Sequence, residues 1–240
     1  PLPESVALAG FYSGRILFTL RDAWEVAGRT FPEGALLAID AAAFRESGEL
    51  PSIETVYTPD DRTSIEGVTV SRSGLYVSLL QNVKGSILRF DVEAKSGEWR
   101  AEPLPLPPSG TVSLSAANPH SGTVFVNYED PITPDRLSEY DAGANVLTRL
   151  KALPARFRAD GLQVSQHTVR SADGEAVPYF VIHRKGLKPD GSTPTILYGY
   201  GGFEISLKPI YSATIGKLWL ERGGAYAVAN IRGGGEFGPR

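Results

Sequence analysis

The chain has 240 residues, 42% hydrophobic, 21% charged and 10% aromatic, a globular composition that excludes disordered and fibrous classes. Its formal charge of −3 is unevenly spread, with 12 Lys and Arg against 20 Asp and Glu in residues 1–150, and 12 against 7 in residues 151–240. The absence of cysteine rules out disulfides, thiolate zinc sites and cysteine nucleophiles; no apolar run approaches the roughly 18 to 20 residues of a membrane-spanning helix, and no basic run suggests a nucleic-acid footprint.

Residues 1–20 lack the basic, apolar and small-residue order of a secretory signal, and the compartment stays open. Gly and Pro make up 44 residues spread along the chain, so many short turns are expected. A weak repeat follows from them. Three Ser-Gly turns, Ser13-Gly14, Ser73-Gly74 and Ser121-Gly122, each open an apolar β-type run that reaches Leu20, Leu80 and Tyr128. Each is followed by a second run, 34–40, 85–91 and 136–141, ending in Asp40, Asp91 and Asp141, which are 51 and 50 residues apart. A Gly/Pro/Arg-containing loop over 21–33 takes up extra length in the first unit, and further strand candidates lie at 53–58, 65–70 and 99–104.

Several short strands per period of about 50 residues suit propeller blades, with an ordinary β-sandwich as the alternative. Three blades fit in residues 1–150. Since propellers close on themselves with about four to eight blades, three predict an open ring and sequence beyond this chain. Residues 156–161 read as a link. Strands at 163–169 and 176–184 flank the turn Ser171-Ala172-Asp173-Gly174, and a buried strand at 195–198 precedes the glycine-rich bend Gly199-Tyr200-Gly201-Gly202-Phe203. A helix over 212–222, with Ile215, Leu218, Trp219 and Arg222 on one face, leads through Gly223-Gly224 to a strand at 225–231, completing one βαβ unit of an unfinished parallel sheet.

Residues 233–238 formally match G-x-G-x-x-G, but Pro239 and the chain end follow where a helix and a later acidic residue belong, so a flexible glycine turn is the expectation. His120, His167 and His183 lack partners at metal-ligand spacing and read as structural. Asp60-Asp61 and Glu129-Asp130 read as solvated turn charges. No G-x-S-x-G elbow occurs. The bend at 198–203 carries more, because clustered glycines at a strand end allow a reacting group to approach the backbone closely. Composition alone reads Tyr200 and Phe203 as core packing.

Several blocks in order change that weighting: Ser171-x-Asp173-Gly174, Val177-Pro178-x-Phe180, Lys185-Gly186-Leu187-x-x-Asp190-Gly191, Leu197-Tyr198-Gly199-Tyr200-Gly201-Gly202-Phe203 and Ala229-Asn230-Ile231-Arg232-Gly233-Gly234-Gly235-Glu236. With these, residues 166–240 resemble the prolyl oligopeptidase family of serine peptidases, and residues 1–155 resemble more loosely the last blades of its seven-bladed β-propeller. The resemblance implies propeller blades over 1–155 and the first part of an α/β-hydrolase domain over 156–240. It implies cleavage of short peptides after proline, no cofactor or metal, no nucleic-acid or membrane partner, and a monomer when complete. Tyr200 corresponds to the oxyanion-hole tyrosine and Phe203 to an aromatic wall of the proline pocket, whereas the Ser, Asp and His triad lies downstream, so the 240 residues alone are expected to be inactive. Two alternatives remain: an oligopeptidase cutting after Lys or Arg, against which Gly201-Gly202-Phe203 argues, and a propeller module that binds peptides without cleaving them.

Overall fold

The computed structural model describes residues 2–118 and 120–238. Three four-stranded antiparallel sheets occupy residues 6–152. The first contains β1 (Val6–Tyr12), β2 (Arg15–Leu20), β5 (Leu36–Asp40) and β6 (Ile53–Tyr57), and β3 (Trp24–Val26) pairs with β4 (Arg29–Phe31) as a separate ribbon. Helix α1 (Ala41–Ser47) lies between β5 and β6. The second sheet runs through β7 (Thr63–Ser71), β8 (Gly74–Gln81), β9 (Lys84–Val92) and β10 (Trp99–Pro103). The third has β11 (Thr111–Ala117), β12 (Val124–Asp130), β13 (Thr133–Asp141) and β14 (Val146–Ala152). In each sheet the strands pair in chain order, and the first strands β1, β7 and β11 lie against one another, an arrangement that fits propeller blades.

The apolar runs are continuous because both faces of the middle strands are covered. Along β5, Leu36 and Ala38 join a core with Leu75, Val77, Leu79 and Phe90 of the second sheet, while Leu37 and Ile39 face the opposite way, onto Phe18, Phe31 and Ile53. Tyr76 points from the second sheet toward the third, meeting Tyr140 edge-on with ring centroids 6.0 Å apart, among Ile87, Val124 and Val126. Alternation along a strand therefore assigns successive side chains to two different cores.

The repeat found in the sequence corresponds to the two central strands of each sheet: β2 with β5, β8 with β9, and β12 with β13. Its aspartates do different local work. Asp91 accepts a 2.5 Å hydrogen bond from the Tyr12 hydroxyl, Asp141 accepts from the Gly143 and Ala144 N–H groups, and Asp40 caps α1 by accepting from Ala43 N–H at 2.7 Å. Replacing an N-cap aspartate by alanine typically costs about 1 kcal/mol, so Asp40→Ala is expected to lower the urea midpoint by a corresponding amount without changing the slope.

Residues 21–33, expected as a loop, contain the β3–β4 ribbon. Ala27 and Gly28 both take positive φ, 50° and 73°, as a tight hairpin turn requires, and Trp24 and Phe31 cover the outer core of the first sheet. The fourth sheet has the order β15 (Leu162–Arg170), β16 (Ala176–Arg184), β18 (Ala225–Ala229), β17 (Thr195–Gly199), with β17 and β18 parallel and the other pairs antiparallel. Between β17 and β18 the helix is shorter than its pattern suggested. Helix α2 spans Ala213–Leu218, and a 3-10 turn at Leu220–Arg222 follows, ending on Gly223 with φ 95°. The break at Trp219 changes the helical phase, so Leu220 is buried in place of Leu218, which is exposed, and Arg222 also faces outward.

The link before the fourth sheet is pinned rather than loose. Buried Phe157 stacks on Tyr211 with centroids 4.9 Å apart, the Tyr211 hydroxyl accepts from Arg156 N–H, and Glu221 accepts from Arg158 N–H.

Candidate active site

The two glycine-rich segments singled out in the sequence meet at the C-terminal ends of the parallel pair β17–β18. A Cβ on Gly201 would run into the carbonyl oxygen of Arg232, with Ile231 Cγ1 3.0 Å away, so these backbones approach as only glycine permits. Glu204 N–H donates to Gly233 O at 3.2 Å, closing the contact, and the 233–235 turn is thus packed against the bend rather than freely flexible. Arg232, in turn, pairs with Asp173 of the β15–β16 turn, whose carboxyl is held well below the usual carboxylate range by Ser171 and then by Arg232.

Tyr200 leans over Gly202: a Cβ there would lie 2.9 Å from the phenolic oxygen. Within these 240 residues Tyr200 is 36% exposed and Phe203 is 92% exposed, so no core of this chain encloses either side chain. Phe203 and Glu204 have φ of 57° and 53°, two consecutive non-glycine residues in the left-handed region, where each costs about 1–2 kcal/mol. Such a conformation persists only where its surroundings enforce it.

Those surroundings come from both sides. Glu236, expected merely to follow a glycine turn, is a buried carboxylate, 3% exposed, whose Oε1 accepts from Leu207 N–H at 2.9 Å and Asn230 Nδ2 at 3.0 Å; Asn230 Nδ2 also donates to Leu207 O. Residues 204–211 then cross the three blade-like sheets in turn. Arg21 donates to the Glu204 carboxylate at 3.3 Å, Lys208 pairs with Glu66, Thr111 Oγ1 donates to Pro209 O, and Tyr211 N–H donates to Glu129. Glu129 is therefore an anchor between units and not a solvated turn charge. A cavity of about 1110 Å³ opens beside this segment, lined by Glu204, Ser206, Lys208 and Phe237 with residues of the first two sheets; Tyr200 and Phe203 stand outside its lining.

The histidines lie elsewhere. His167 and His183 both reach Ser165 Oγ, at 2.9 and 3.4 Å, and exposed His120 donates its backbone N–H to Asn118 Oδ1. Glu66, Arg21, Glu129 and Glu236 carried no recognisable role in the sequence. Only the position of Glu236, directly after Gly233-Gly234-Gly235, offered a signal.

Comparison with known proteins gives the same direction. A family model described as "Prolyl oligopeptidase, N-terminal beta-propeller domain" matches residues 24–152. The uncharacterized peptidase y4nA of Sinorhizobium fredii is 42% identical over 242 residues, covering 100% of this chain and 33% of that protein. A prolyl endopeptidase of Elizabethkingia miricola is 33% identical over 177 residues, covering 73% of this chain and 24% of its own length. The solved structure of a post-proline cleaving enzyme from Rickettsia typhi superposes with a TM-score of 0.86 at 26% identity, covering 100% of this chain and 34% of that one. This chain spans about a third of the length of the first of these relatives. With a family model matched over more than half of its residues and blade-like sheets in the matched region, the chain belongs to the prolyl oligopeptidase family.

Proposed function

We propose that the complete protein is a serine endopeptidase that hydrolyses short peptides after proline, and that this chain supplies part of its propeller and the beginning of its α/β-hydrolase domain. The observation that carries this reading is the Tyr200–Phe203 rim: a phenol and an exposed phenyl ring at the C-terminal ends of a parallel strand pair, where open α/β sheets bind their ligands. The sheet order supports it, with two antiparallel strands followed by a parallel pair joined through a helix. So does the division near residue 155, between the end of β14 at Ala152 and the start of β15 at Leu162.

In this reading Tyr200 donates a hydrogen bond to the oxyanion that forms when a serine hydroxyl attacks the scissile carbonyl. A phenolic O–H is a suitable donor because it can point at the place where negative charge develops. Phe203 gives the substrate pyrrolidine a flat apolar wall. The nucleophile and its Asp and His partners come from outside these 240 residues. The propeller blades restrict access to short peptides.

The test is hydrolysis of Gly-Pro and Arg chromogenic substrates by the full-length protein and by the 240-residue chain. Cleavage after proline by the former and none by the latter is expected. Preferential cleavage after arginine, or peptide binding with no turnover by the full-length protein, would overturn the assignment. Phe203→Ala is expected to lower the preference for proline over alanine at the cleaved residue about 10-fold or more, with kcat on the prolyl substrate little changed.

A further inference from the structure

A register irregularity recurs in the three blade-like sheets. Each first strand carries one extra residue opposite the second strand: Ala9 lies between the paired Leu8 and Gly10, Glu66 between Ile65 and Gly67, and Ser115 between Leu114 and Ala116. The bulge belongs to the blade architecture, but only the middle one presents a charged side chain. Bulges bend a strand and re-aim the extra residue. Here that residue is Glu66, exposed as a residue but with its side chain only 24% accessible, which pairs with Lys208 and accepts a 3.4 Å hydrogen bond from Ser64 Oγ.

Lys208 lies five residues beyond Phe203, on the segment that crosses from the hydrolase-side sheet to the blades. Both halves of the bend rest on the 232–233 backbone, through the packing of Gly201 on Arg232 and the Glu204–Gly233 hydrogen bond, and the second half is also tied to the blades. Tyr200, before Gly201 and Gly202, is fixed by β17 and by the backbone packing of Gly201 on Arg232. Phe203 and Glu204, after them, hold strained left-handed conformations, and within these 240 residues the Phe203 ring is almost fully exposed. What holds their backbone is the Glu204–Gly233 hydrogen bond, the Ile205–Gly202 hydrogen bond that closes the turn over them, and the downstream anchors. Of the two ion pairs there, Arg21–Glu204 is solvent-exposed, with side chains 66% and 59% accessible, whereas Lys208–Glu66 is 29% and 24% accessible and correspondingly less screened.

We propose that Glu66, through Lys208, is a positioning residue for Phe203: the bulged strand of the second blade sets the pose of the proline-pocket wall, while Tyr200, next to the end of β17 and with no ion pair to the blades, depends on it less. This rests on the peptidase reading above. It predicts a division of kinetic effects that a general loss of structure would not produce.

In the full-length protein, Glu66→Gln is expected to raise KM for a Gly-Pro substrate about fivefold and to lower proline-over-alanine selectivity similarly, the scale of one partly buried ion pair, with kcat within about twofold of the parent. The reciprocal swap Glu66→Lys with Lys208→Glu should restore KM and selectivity. Hydrogen exchange of the 203–208 amides, which requires no activity, should accelerate in Glu66→Gln and return toward the parent rate in the swap. Unchanged exchange over 203–208 in Glu66→Gln overturns the positioning role whether or not the protein cleaves prolyl peptides. Accelerated exchange in an enzyme whose KM and selectivity stay at parental values overturns it as well. A parent protein without prolyl activity sinks the peptidase reading instead, and the exchange comparison still reports on the anchor.

Discussion

On the proposed peptidase reading, Tyr200→Phe in the full-length protein is expected to lower kcat about 100-fold or more, because losing one oxyanion donor typically removes about 2.7–4 kcal/mol of transition-state stabilisation. The substitution deletes one oxygen and keeps the ring. The change removes only a hydroxyl and leaves the ring in place over Gly202, so it opens no hole for a ring-sized group, and the parent's thermal midpoint should be retained. KM should move little, because the donor acts on charge that develops only during attack. Steady-state kinetics on a Gly-Pro chromogenic substrate, with a melting curve on the same sample, checks both points. An unchanged kcat would remove Tyr200 from the reaction.

The second large effect is expected at Gly201. A methyl group there collides with the Arg232 carbonyl oxygen, which is backbone and cannot rotate aside as a long side chain would. The ends of β17 and β18 must separate, and Tyr200, the adjacent residue, moves with them. Misplacing a catalytic group by about 1 Å can cost about 100-fold, so Gly201→Ala should depress kcat on that scale with the phenol still present. Overpacking of this kind also destabilises by about 1–3 kcal/mol, so thermal unfolding should move downward too. The contrast with Tyr200→Phe is diagnostic: both lose turnover, but only Gly201→Ala loses stability. Parental kcat in Gly201→Ala would show that the approach of the two glycine segments is irrelevant to catalysis.

Much of the blade region was legible because its strands are covered on both faces. Runs such as 36–39 and 75–80, the latter interrupted only by buried Ser78, are apolar, and their Ser-Gly starts and aspartate ends mark the two central strands of each sheet. The flanking strands β1, β11 and β14 were less visible. They carry exposed positions and bulges, and Leu8, Phe11, Val146 and Leu150 are exposed despite being apolar, so no clean period survives. The β3–β4 ribbon escaped notice because three-residue strands are too short to show alternation. Helix α2 was overextended because a periodic pattern does not reveal the break at Trp219.

The bend at 198–203 stood out from local order, since a strand ending in glycines is a short-range pattern and backbone rules act over a few residues, but Tyr200 and Phe203 were singled out within it only through the resemblance to a known family. Their exposure and the mutual packing of Gly201 with residue 232 were not legible, and neither were the anchors at Arg21, Glu66, Glu129 and Glu236. Lys208 and Glu66 are 142 positions apart, and Arg21 and Glu204 are 183 apart. An isolated glutamate or arginine looks the same in a list of residues whether it faces solvent or another unit. Ion pairing acts through space over a few ångströms, and which charges come that close is settled only when the blades and the fourth sheet pack together.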